Sequence, residues 1–203
     1  MKKFLLITLI VVITISSAFS AMNFFPLKAS SNENQVIGSL FYLQTINDKV
    51  TASSYGISTS FLNKVSRDSG IYANVGVGKA FAFNYARVTL PLENTVAVFL
   101  QSGPYYIIPL QDKMLVKVGA GLDLCMLGGK VPVTGDEKVA VSLGIGAMGA
   151  FEYELMEYIT LVGSLTLGFD FVTWMTNVSG DLERASNGII VNMMPSVGAS
   201  YKF

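Results

Sequence analysis

The chain has no histidine in its 203 residues and a single cysteine, Cys125. The first absence excludes a Ser-His-Asp triad and every histidine-ligated metal centre. The second excludes an intrachain disulfide framework. Charge is also scarce: Asp, Glu, Lys and Arg make up 14% of the residues, against about 25% in soluble domains. The two signs cancel, with 14 Lys and Arg against 14 Asp and Glu, so the charge balance gives no argument for nucleic acid or for an acidic membrane surface. Past the N-terminal segment there is also no apolar run of about 18 residues, the length that marks a membrane-spanning helix.

What is present is hydrophobicity without continuity. Hydrophobic residues make up 51% of the chain, too many for an ordinary secreted protein. A sequence that is apolar overall yet never continuously apolar suits a transmembrane β-barrel, whose lipid-facing and lumen-facing side chains alternate. The start, MKKFLLITLIVVITISSAFS, has two lysines, an apolar run from Phe4 to Ile15 and small residues ending Ala18-Phe19-Ser20. That is the layout of a secretory signal cut after Ser20, and the run is shorter than the ~20 residues of a spanning helix. Residues 1–20 are therefore expected to be a cleavable signal peptide. Residues 21–34 read as a lead-in, in which Pro26 opposes a regular strand, and residues 35–203 as one barrel.

Alternation places eight antiparallel strands at about 35–46, 50–64, 71–84, 94–109, 114–127, 139–153, 158–175 and a final run to 203. Lys79 lands on the apolar parity and reads as the mark of a bulge; a bend is expected at Pro104. In the fifth strand Val116, Val118, Ala120, Leu122, Leu124 and Met126 oppose Lys117, Gly119, Gly121, Asp123 and Cys125. Glu152 and Asp170 take the polar parity of the sixth and seventh strands, so Lys117, Glu152, Asp123 and Asp170 are expected as structural charges in the lumen. Antiparallel pairing about the loop 128–138 sets residues whose numbers sum to roughly 266 to 270 across from each other. That arithmetic brings Lys117 to Glu152 as an ion pair.

Connectors after the second, fourth and sixth strands are short, and those after the third, fifth and seventh are long, as on the two sides of an outer-membrane barrel. Aromatic residues gather near strand ends as two interfacial girdles: Tyr153, Tyr158, Tyr201 and Phe203 on one side, Phe81, Phe83, Tyr85, Phe171 and Trp174 on the other. The chain finishes MMPSVGASYKF, with Val197, Ala199, Tyr201 and Phe203 on one parity. This ending resembles the C-terminal signal of Gram-negative-type outer-membrane barrels. With the signal peptide and eight strands, the chain resembles small eight-stranded barrels of the OmpA, OmpX and OmpW type. The resemblance implies outer-membrane lipid as the surroundings and recognition of Val197, Ala199, Tyr201 and Phe203 by the barrel-assembly machinery. It also implies a monomer with no cofactor.

Motifs for other chemistry fit the barrel better. Gly144-Ile-Gly146-Ala-Met-Gly149 matches a dinucleotide fingerprint, with Asp170 about 20 residues on, but no helical periodicity follows and the glycines sit on the lumen parity. GGKVPV lacks the first Gly and the Ser/Thr of a phosphate-binding loop. Asp123 with Asp170 is a formal acid/base pair, read here as part of a charge network. Asn177-Val178-Ser179 reads as loop. The expected function is a non-enzymatic envelope platform whose outer loops make contacts, the alternative being a narrow conduit or binder for a small apolar solute.

Overall fold

Period-two alternation becomes a closed antiparallel barrel in the computed structural model, which describes residues 34–47, 50–85, 88–89, 93–130, 137–176, 182–185 and 188–202. Its strands are β1 (Asn34–Ile46), β2 (Val50–Lys64), β3 (Ser69–Tyr85), β4 (Val88–Thr89), β5 (Glu93–Gln111), β6 (Met114–Lys130), β7 (Glu137–Met156), β8 (Ile159–Thr176), β9 (Leu182–Ala185) and β10 (Ile190–Lys202). Eight form the wall. β4 and β9 are short additions that pair only with β3 and β8. No helix occurs among the described residues.

Each wall strand pairs with its neighbours in sequence, and β10 closes the ring between β1 and β8. Tyr201, for example, lies opposite Val36 on one side and Ile159 on the other. Closure leaves no free edge, so every strand can satisfy its backbone groups on both sides. Turns 65–68, 112–113 and 157–158 lie at the same end as Asn34 and Lys202. Three of the four connections at the other end are longer; the first, 47–49, is as short as a turn.

Most strands run further than the alternation suggests: β6 reaches Lys130 and β7 spans Glu137–Met156. Backbone pairing continues past the apolar band because a ladder needs only main-chain partners. The bulge near Lys79 falls on Phe81. Ser53 faces Ala82 and Ser54 faces Ala80, leaving Phe81 as the extra residue. A second bulge, unsignalled in the sequence, leaves Phe171 extra between Leu143↔Val172 and Gly144↔Asp170. At Pro104 the register does not shift: Ser102↔Leu122 and Tyr105↔Gly119 keep the same offset. Gly103 and Pro104 have no partners on β6 there, which is how the ring tolerates a residue with no N–H to donate.

Most outward positions are apolar, and many are exposed, as with Leu40, Ile57, Leu122, Ile145, Phe169 and Val197. Met126 shares that parity but is buried, in register with Val98 and Val141. The interior holds two apolar clusters. One joins Phe41, Leu43, Ala97, Phe99, Cys125, Leu127 and Met194 toward the long-connection end. The other joins Ile37, Leu62, Tyr72, Tyr105, Met148, Ala150 and Val162 toward the turn end.

Candidate functional site

The lumen carries the polar chemistry in two groups, one toward the turn end and one midway along the barrel. Along β6 the inward residues run Lys117, Gly119, Gly121, Asp123, Cys125 and Leu127, so Lys117 lies nearest the turn end and Asp123 midway.

In the turn-end layer, Lys117 Nζ lies 2.7 Å from Glu152 Oε1. The two are diagonal neighbours, since Lys117 faces Ala150 and Glu152 faces Leu115, a register sum of 267. Gln35 completes the group. Its side-chain oxygen accepts from Lys117 Nζ, and its Nε2 donates to Glu152 Oε2 at 3.1 Å and to Ser200 Oγ at 2.7 Å. β1 and β6 stand on opposite sides of the ring, so the Gln35–Lys117 bond spans the lumen. Lys117 Nζ also sits 5.6 Å over the ring of Tyr105, a cation–π contact. Both charges are almost wholly buried.

The middle layer is a chain of hydrogen bonds. Tyr72 Oη donates to Gln101 Oε1 at 3.0 Å, and Gln101 Nε2 donates to Asp123 Oδ1 at 3.3 Å. Asn192 Nδ2 donates to Asp123 Oδ2 at 3.3 Å and to Asp170 Oδ2 at 2.7 Å. Ser142 Oγ also donates to Asp170 Oδ2, and Thr45 Oγ1 donates to Asn192 Oδ1 at 2.8 Å. Seven of the eight wall strands supply a member. Asp123, Asp170 and Gln101 are fully buried. Two glycines make the space: a Cβ on Gly146 would collide with the Gln101 amide, and one on Gly168 with the Asp123 carboxylate.

The four lumen charges thus fall into two groups, Lys117 with Glu152 and Asp123 with Asp170. Sequence reading missed Gln35, Tyr72, Gln101, Ser142 and Asn192. Their inward parity was the only local signal, and their partners depend on register and closure. Gly144 and Gly146 line the wall rather than opening a helix. Among the described residues no group of three or more His, Cys, Asp or Glu could hold a metal. A cavity of about 20 Å³ beside the middle layer, lined by Thr45, Cys125, Ser142 and Thr173 among others, has room for about one water.

Val197, Ala199 and Tyr201 face outward from β10. The Tyr201 ring packs 6.3 Å from that of Tyr158 at the turn end. At the other end Phe81 lies 5.8 Å from Tyr55 and 6.2 Å from Tyr42. Phe203, residues 1–33, the 177–179 triplet and the side chains of Phe83 and Tyr85 lie outside the described residues.

No protein-family model matches the chain, and no curated protein matches it by sequence. Solved structures do match in fold. Neisserial surface protein A superposes with a TM-score of 0.63 at 14% identity, over 85% of this chain and 100% of that one. AlkL, an outer-membrane protein solved in DMPC bilayers, gives 0.59 at 14% identity over 86% and 92%. Ail, the attachment invasion locus protein of Yersinia pestis, solved with the heparin analogue sucrose octasulfate, gives 0.56 at 8% over 85% and 99%. The fold is that of the small eight-stranded outer-membrane barrels.

Proposed function

We propose that the chain is exported by its N-terminal signal and works as a non-enzymatic, monomeric outer-membrane barrel, a platform from which the long connections at one end contact other molecules. The observation that carries this is the pairing of an exposed apolar outer wall with a lumen closed by its own side chains. The wall requires hydrocarbon around it. The lumen holds two apolar clusters packed beside its polar groups, and a hydrogen bond crosses it between β1 and β6. The network crossing the lumen between β1 and β6 and the side chains packed beside it favour the platform over the conduit. Asp123 and Asp170 are fully buried, and their bonds to Asn192 read as structural. Among the fold relatives are a surface protein and an attachment invasion locus protein solved with a heparin analogue, which fit the platform reading.

Cell fractionation tests the reading. The protein is expected in the outer-membrane fraction, and its band should shift between unboiled and boiled samples on a denaturing gel. Recovery as a soluble periplasmic protein would overturn it.

A further inference from the structure

The outer wall carries one charge that the platform reading leaves unused. Lys79 is exposed and points outward from the interior of β3. Among the described residues, every other charged side chain on a wall strand faces the lumen or stands near a strand end. A lysine facing hydrocarbon is strongly disfavoured at mid-depth and tolerated near an interface, so its height is informative.

The residues before and after it along β1, β2 and β3 bracket that height. One row across the wall is Leu40, Ile57, Val77 and Val98, each in register with the next and all apolar. The next row toward the long-connection end is Tyr42, Tyr55 and Lys79. The row beyond it pairs Gln44 with Ser53, and the Tyr42 hydroxyl donates to Ser53 Oγ at 3.1 Å. Along this sector the wall therefore passes from aliphatic to amphipathic to polar in three rows. The bulge sets Phe81 outward against the rings of Tyr42 and Tyr55, so three aromatic side chains frame the lysine. Rings of this kind collect where acyl chains give way to headgroups, and an ammonium there meets phosphate.

We propose that Lys79, framed by Tyr42, Tyr55 and Phe81, is a docking point for the phosphate of a lipid headgroup in the leaflet on the long-connection side. The lysine supplies the charge-assisted bond, and the three rings seat the start of the acyl chains. The inference rests on the barrel reading above, and the experiment separates the two. Protein extracted from outer membranes in mild detergent is titrated with diphosphorylated lipid A, with its dephosphorylated form, and with lipid A plus inorganic phosphate. Bound lipid is counted by native mass spectrometry for wild type, Lys79→Gln and Lys79→Arg.

Wild type and Lys79→Arg should retain the phosphorylated lipid about fivefold or more over the dephosphorylated one, a ratio in the range of one charge-assisted bond. Lys79→Gln should lose that preference while keeping the heat-dependent gel shift of a folded barrel. Inorganic phosphate in excess should not displace the lipid. An unchanged preference in Lys79→Gln would overturn this inference and leave the barrel reading intact. Displacement by inorganic phosphate would mean a free-anion site and overturn it likewise. Absence of wild type from the outer-membrane fraction would overturn both.

Discussion

Lys117, Glu152 and Gln35 show how a small barrel accommodates charge. Taking an ion pair out of water is costly, and the loss is recovered only when the remaining polar atoms are also bonded. Gln35 does that from across the lumen, accepting from the lysine and donating to the glutamate. Removing one partner strands the other, so Glu152→Gln or Lys117→Met alone should destabilise by about 3 to 5 kcal/mol, less wherever water enters. The double variant should cost well below the sum. Urea unfolding in lipid measures this coupling directly, and additive effects would show the pair to be energetically idle. Glycine makes a second residue-scale contrast. Gly168→Ala drives a Cβ into the Asp123 carboxylate and within 3.3 Å of Asn192 Cβ, and should lose about 1 to 3 kcal/mol by overpacking. Gly163→Ala, on the outer wall with open space around its Cβ, should be neutral or slightly stabilising in the same assay.

At the scale of the element, β10 has the most to do. It bonds β1 over Ile46↔Val191 to Gln35↔Lys202 and β8 over Ile190↔Asp170 to Tyr201↔Ile159, so the ring cannot close without it. Val197, Ala199 and Tyr201 all face outward, which presents one apolar edge of the strand before closure. If the ending YKF is read by assembly machinery, deleting Phe203 should leave export intact but lower the heat-modifiable fraction in the outer membrane. Unchanged assembly would remove the terminal strand as the recognition signal. β3 and β8 show the other use of an element: each inserts one residue, Phe81 or Phe171, that turns an aromatic ring outward near the long-connection end.

For the whole molecule, eight strands enclose an interior that side chains can fill. Here they fill it with the Lys117 group, the Asp123–Asn192–Asp170 network and two apolar clusters packed against them. A permeating ion would have to break these hydrogen bonds and displace the packed side chains beside them. Purified monomer in planar bilayers should therefore show no stable porin-like current. Large, steady conductance would mean that the lumen opens or that several chains build a wider pore.

The sequence alone determined the barrel, the strand count and the outward face, because alternation is local: each side chain's face follows from its neighbours two residues away. It also placed Lys117, Asp123, Glu152 and Asp170 on the lumen parity. What only the tertiary structure decided was who meets whom. Gln35 and Lys117 are 82 residues apart and meet because ring closure sets β1 opposite β6. Asn192 bridges two aspartates 47 residues apart because β8 and β10 pair at Gly168↔Asn192, a glycine without the side chain that would push Asp123 away. The Phe171 bulge likewise had no mark in the sequence, since an extra residue in a strand is defined by the partner it lacks. Alternation fixes a direction for each side chain; register and closure fix distances, and hydrogen bonds depend on distance.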